Sequence, residues 1–319
     1  MEATETKKKK YKPKKRQYRL KPGDYVICYK QTNTLNKLCI FTSRGNYLYL
    51  PIHEIPSCKW KDLGKHISNF VTISPDDKAV SAYIINENIT NPEITMFSRD
   101  GMVKRTNLND FIVSRYSKAY TAMKLKDDDE LVNVCITKPN VLIVTKTGYY
   151  LNYMASEIPI SGPKAAGVKG INLKDDVVTS GICYSDTDEY IDVFTNQKTA
   201  KRVKLSDLNM LSRAKRGTTL IKKVKSTNYE IIKAFSTSTK DVIGIKSKDD
   251  IYLVKNSDIP IMDKESTGSV ILKQSINDVF ISKELDIVKD EDIELPKIKK
   301  EEEKIQELTI DDFLNDFKL

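Results

Sequence analysis

The chain has 319 residues, with 53 Lys and Arg against 44 Asp and Glu and a formal net charge of +9. Two histidines and five scattered cysteines (Cys28, Cys39, Cys58, Cys135 and Cys183), none in a CxxC pair, argue against a zinc centre. No run approaches the ~18 apolar residues of a membrane span, and an odd cysteine count without a signal peptide points to a reducing cytoplasm. In chain order, residues 1–16 read as a basic, disordered segment, residues 17–282 as a repetitive β-domain, and residues 283–319 as an acidic, mostly disordered tail. Residues 1–22 carry ten Lys or Arg and two Glu, and residues 283–319 carry seven Lys and thirteen Asp or Glu. The body between them is therefore basic in its own right, which suits a polyanionic partner such as a phosphate backbone.

Within the body, five segments read alike: LCIFTSRGNYLYL (38–50), ITMFSRDGMVKRT (94–106), VLIVTKTGYYLNY (141–153), IDVFTNQKTAKRV (191–203) and VIGIKSKDDIYLV (242–254). Each is an apolar run, a polar turn and an alternating run, the signature of a β-hairpin. The turn glycine is Gly45, Gly101 and Gly148 in the first three copies. It becomes Lys198 and Asp249 in the last two, so those turns need another geometry or a strained side chain. With Phe41, Phe97, Val144, Phe194 and Ile245 as anchors, an acid follows thirteen residues on in every copy: Glu54, Asp110, Glu157, Asp207 and Asp258. Ten residues further lie Gly64, Tyr120, Gly167, Gly217 and Gly268. The repeats run near 38–86, 94–137, 141–185, 191–236 and 242–282. About fifty residues suits four short strands, and such a unit buries its faces only by stacking on neighbours around an axis. The expected fold is all-β and propeller-like, with five complete four-stranded repeats. YRLKPGDYVICYK near the N-terminus reads as the tail of a sixth, similar to AMKLKDDDELVNVCI.

These residues carry a family resemblance. FTSRGNYLYLPIHEIPSCKWKDLGKHISN, GMVKRT and GPKAAGVKGINLKDDVV resemble the C-terminal domain of bacterial type IIA topoisomerase A subunits, over roughly residues 17–282. PIHEIP…WKDLGKHISN is closer to topoisomerase IV of Gram-positive bacteria than to gyrase. The resemblance implies a β-pinwheel whose blades exchange strands, and which binds and bends duplex DNA on its outer edge for strand passage, decatenation and relaxation. It implies as partners double-stranded DNA, an ATPase B subunit, and the remainder of the A subunit, in the cytoplasm at the nucleoid and away from membranes. Gyrase A subunits carry a box close to QRRGGKG in the first repeat; the nearest string here is SRAKRGT (212–218) in the fourth copy. That departure favours the topoisomerase IV type over the alternatives, a gyrase-type domain or a free-standing nucleoid relative.

The loop before the repeating glycine is basic in most copies: Lys59, Lys61 and Lys65; Arg115 and Lys118; Lys164 and Lys169; Arg213, Lys215 and Arg216; and Lys264. The strand after the hairpin turn adds Lys104 and Arg105, then Lys201, Arg202 and Lys204. Equivalent loops fall on one rim, where spaced cations match a bent duplex. The second and fourth copies are the richest and the fifth is poor and acidic. Arg115-Tyr116 does not read as a cleavage tyrosine, because it lies in a β-repeat loop. His53 and His66 suit structural roles, and the acids of the thirteen-residue step are too dispersed for paired acid–base work. No phosphate-binding loop, metal cluster or partnered nucleophile stands out, so neither catalytic residue nor cofactor is expected. The reading from another class is a propeller that serves as a protein-interaction platform.

Overall fold

A computed structural model describes residues 24–282, apart from 27, 29, 59–61, 63, 88–90, 127 and 249. The expectations for residues 1–16 and 283–319 lie outside the described residues. The first repeat forms β1 (Lys37–Thr42), β2 (Asn46–Pro51) and β3 (Ala79–Ile85). The second forms β4 (Glu93–Ser98), β5 (Met102–Asn107), β6 (Tyr120–Thr121) and β7 (Leu131–Ile136). The third forms β8 (Asn140–Thr145), β9 (Tyr149–Met154), β10 (Val168–Lys169) and β11 (Val178–Tyr184). In the fourth are β12 (Tyr190–Thr195), β13 (Thr199–Lys204), β14 (Thr218–Thr219) and β15 (Ile231–Thr237). The fifth holds β16 (Val242–Ser247), β17 (Asp250–Lys255), β18 (Ser269–Val270) and β19 (Asp278–Ser282).

The five hairpins fall where the apolar–turn–apolar pattern put them. Each blade is antiparallel, and its fourth strand comes from the repeat that follows: the orders are β3-β1-β2-β6, β10-β5-β4-β7, β11-β8-β9-β14 and β15-β12-β13-β18. The fifth sheet, β17-β16-β19, has three described strands. Among the described residues the first repeat supplies three strands. A repeat's third segment belongs to the blade before it, and in the first repeat that segment holds a 3-10 turn at Ile67–Asn69 instead.

Most core residues gather between blades, with a smaller cluster of Ile40, Leu48, Leu50 and Val71 inside the first repeat. Phe41, Tyr47 and Tyr49 of the first repeat pack with Ile94, Met96, Leu108 and Phe111 of the second. Phe97 and Val103 pack on Val141, Ile143 and Leu151, and Val144 and Tyr150 on Ile191 and Val193. Both sheet faces are thereby covered, which is why the first strand of each hairpin is mostly apolar on both faces instead of alternating. The strands nearest the axis join successive blades by polar contacts: Tyr83 donates to the Val134 carbonyl at 2.7 Å and Asn133 to the Gly181 carbonyl at 2.8 Å. Two residues ahead of β1 reach the same layer. The Tyr25 ring stacks on Phe280 of the fifth blade at 3.9 Å, and Cys28 Sγ approaches the Ala82 carbonyl of the first at 3.7 Å.

Candidate nucleic-acid interface

Each basic loop is positioned by the strand it donates. Ala122 and Met123 donate to the Gly45 carbonyl, Gly170 and Ile171 to that of Gly101, and Leu220 and Ile221 to that of Gly148. A second set of bonds ties successive loops together: Lys124 N–H to Ala165 O, Asn172 N–H to Lys215 O, and Lys222 N–H to Glu265 O. The loops of repeats three to five therefore occupy equivalent places beside the outer strands. The repeating glycine serves this approach. Gly167 and Gly217 have φ of 79° and 84°, and an added Cβ would lie 2.3 Å from the Val103 carbonyl oxygen and 2.1 Å from that of Tyr150. A tight turn against the previous blade explains these glycines.

Several expected cations lie on exposed surface: Lys65, Arg115, Lys118, Lys164 and Lys215 in loops, and Lys169 in β10. Lys118 Nζ stands 5.1 Å above the Tyr120 ring, and Lys169 Nζ donates to Asn172 Oδ1 at 3.1 Å. Lys59 and Lys61 lie outside the described residues. Arg213 and Arg216 are half-buried seam residues. Arg213 bonds the Glu157 carbonyl at 2.9 Å and the Lys169 carbonyl at 2.6 Å, and Arg216 bonds the Leu173 carbonyl and faces Asp176.

Four cations expected on the rim are instead turned into the blades. Lys104 is fully buried, with Nζ 2.5 Å from the Ala122 carbonyl oxygen. Lys201, 1% exposed, donates to the carbonyls of Leu220, Lys264 and Ser266 at 2.7, 2.5 and 2.8 Å. Arg202 is buried, its Nε 2.7 Å from the Ile259 carbonyl, and Arg105 is half-buried, 3.1 Å from Glu93 and bonded to the Ala155 carbonyl. The donated strands and their loops cover β5 and β13, so these side chains hold the covering loop in place. Burial pushes Lys104 down to about 8 and Lys201 down to about 7. The signal was in the repeat: the position of Lys104 and Lys201 is Leu48, Leu151 and Tyr252 in the other copies, an inward position.

Sequence reasoning also missed a cationic cluster around Tyr149. Arg216 lies 4.3 Å from its ring centroid and Lys223 Nζ 5.5 Å. Ile160, Met210 and Ile261 share one repeat position and are each nearly half exposed, next to the basic loops. The five acids all stand in short 3-10 turns after the second strand; Glu157 reaches on to accept the Arg213 amide at 2.8 Å. His66 accepts the Ser68 amide at a 3-10 N-terminus, and Tyr116 packs 5.9 Å from Tyr49. Among the described residues no group of three His, Cys, Asp or Glu could hold a metal ion, and no helix is long and apolar enough to cross a membrane.

A family model described as "DNA gyrase C-terminal domain, beta-propeller" matches residues 36–86, 92–137, 139–182 and 190–238. The A subunit of DNA topoisomerase 4 from Bacillus subtilis is 35% identical over 254 residues, covering 78% of this chain and 31% of that protein. Its counterpart in Staphylococcus epidermidis is 36% identical over 218 residues, covering 67% and 27%. The chain thus spans about a third of the length of the curated relatives it matches. Among solved structures, the C-terminal domain of DNA topoisomerase IV superposes with a TM-score of 0.79 at 36% identity, covering 83% of this chain and 84% of that one. The DNA gyrase A C-terminal domain gives 0.63 at 17% identity, covering 83% and 93%, a likeness of fold.

Proposed function

The chain belongs to the DNA gyrase C-terminal domain family of β-propellers, and from that premise we propose that it holds and bends duplex DNA along its basic rim. It acts as the non-catalytic DNA-binding module of a topoisomerase IV-type A subunit, in the cytoplasm. Its partners are the ATPase B subunit, with which the enzyme is completed, and the rest of the A subunit. Its service is to strand passage, decatenation and relaxation. The observation that carries this reading is the recurrence of exposed lysine and arginine at equivalent loop positions in successive blades. A duplex presents phosphates at regular intervals, and each one neutralised releases condensed counterions. Flanking tyrosines, Tyr149 and Tyr120, stiffen the cations they face. Without a QRRGGKG-like box in its first repeat, the chain suits unlinking of DNA better than handed wrapping.

The test is duplex binding titrated with salt, using the full chain and a variant with Lys164, Lys169 and Lys215 all changed to Gln. The side chains of these three are exposed and make no contact between blades, unlike those of Arg213 and Arg216. The wild type should bind without sequence preference, with log affinity falling linearly in log salt. The variant should lose affinity and flatten the slope by about 3. Unchanged affinity at fixed salt would remove the rim assignment. The exposed Ile160, Met210 and Ile261 favour the protein-platform reading, and a protein partner retained with no DNA binding at any salt would decide for it.

A further inference from the structure

All five cysteines carry free thiols, and two of them meet across the seam between the second and third blades. Cys135 stands on β7 and Cys183 on β11, the strands nearest the axis in those blades. Asn133 donates to the Gly181 carbonyl at 2.8 Å, and each cysteine lies two residues further along its strand. Cys135 packs against the core cluster that contains Cys183, and the two thiols are hydrogen-bond partners. Thr95, the ladder partner of Cys135, also bonds the Cys183 thiol. The other cysteines are set differently: Cys39 is fully buried, Cys58 is exposed, and Cys28 Sγ approaches the Ala82 carbonyl at 3.7 Å.

We propose that this pair is an oxidation site, at which a peroxide makes a disulfide that ties the second blade to the third. The two strands belong to different sheets, so no ladder bond has to break. The sulfurs need only close from hydrogen-bond contact to a bond of about 2 Å. Cys183 is buried, and the partly exposed Cys135 beside it gives a small oxidant a way in. Burial opposes ionisation of Cys183, but hydrogen bonds from Cys135 and Thr95 and the nearby Lys138 ammonium outweigh it and lower its pKa. Burial pushes the Cys135 thiol up, so Cys183 is the attacking thiolate. It attacks one oxygen of hydrogen peroxide, the O–O bond breaks, and the hydroxide released takes up the proton lost by Cys183, leaving as water. Cys135 then attacks the sulfenic sulfur. The S–S bond forms as the S–O bond breaks, and the departing hydroxide takes the Cys135 proton as a second water. In sum, the two sulfurs give two electrons to one peroxide. A reducing compartment keeps the pair open, so the bond forms only when peroxide rises.

The test is brief treatment of the full chain with hydrogen peroxide, then alkylation of the remaining thiols in denaturant and peptide mapping without reductant. A peptide pair joined through Cys135 and Cys183 is expected, two hydrogens lighter than its separate parts and released by dithiothreitol. The bond closes a loop that includes the whole β8–β9 hairpin, so it also restricts the unfolded chain. The urea midpoint of the oxidised chain should therefore rise by about 1 M. Cys135→Ser should lose that rise, and Cys58→Ser should keep it. Both thiols found alkylated after treatment, or either one joined to Cys28 or to a second chain, would overturn the proposal. So would Cys183 carried on to a sulfinic acid while Cys135 stays free. The mapping uses the unaltered sequence, so its outcome stands whether or not the variants fold.

Discussion

Lys201 and Asp192 lie on neighbouring strands of the fourth blade and carry opposite pH signatures. Lys201 is caged by backbone carbonyls, and burial brings it from the ordinary 10.5 down to about 7. Between those values the unfolded chain holds a proton that the folded chain has released. Stability therefore rises with pH across that window, on the order of 1 kcal/mol per pH unit. Asp192 is fully buried with Oδ2 on the Thr237 hydroxyl at 2.7 Å, and burial raises it from 3.8 to about 7. Here the folded chain keeps a proton that the unfolded chain has lost, so stability falls as pH rises from about 4 to about 7. Urea unfolding of Lys201→Met should show the alkaline rise blunted, and of Asp192→Asn the acid-to-neutral fall removed. Slopes matching wild type in either variant would mean the side chain does not titrate as described. Both residues also show what a charge pattern conceals. A lysine in a strand reads as surface until its repeat equivalents, Leu48 and Leu151, show that its position faces inward.

At the scale of the element, the donated loop is the unit that both builds the seam and carries the rim. Its glycine is held by backbone approach, so Gly217→Ala places a Cβ against the Tyr150 carbonyl and forces a left-handed φ on alanine. Roughly 1–3 kcal/mol of destabilisation is expected in chemical denaturation. Gly64, where an added Cβ would meet nothing within 4 Å and φ is not positive, should accept alanine at little cost. The hairpin turns give the converse case. Lys198 takes the glycine position of the fourth turn with φ of 63°, the strained side chain that the sequence allowed for. Lys198→Gly should raise Tm, since relief of a left-handed non-glycine residue is worth about 1 kcal/mol; an unchanged or lower Tm would show that the turn carries no strain. The hairpins were legible because period and turn residues are local. The donated strands, only two residues long, were too short for any periodicity to mark.

For the whole molecule, the issue is how charge is distributed around five blades. Burying Lys104, Lys201 and Arg202 shifts the expected DNA path away from the outer strands and onto the loops, with Lys164, Lys169 and Lys215 foremost. Binding to linear duplexes of increasing length should strengthen until the DNA spans these loops and then level off. Affinity that is already maximal on a duplex of a few base pairs would point to a single contact. The acidic residues 283–319 are expected to compete with DNA for the same cations by charge alone. A chain ending at 283 should then bind more tightly at low salt, and equal affinities would remove the idea. By itself the sequence determined the repeat, its five hairpins, the recurrent acid and glycine, and the basic balance, because these follow from local periodicity and composition. Only the tertiary structure decided which cations face water. A blade is covered by a strand from the next repeat, and that covering turns two of the three cations of a basic stretch such as KRVK into core.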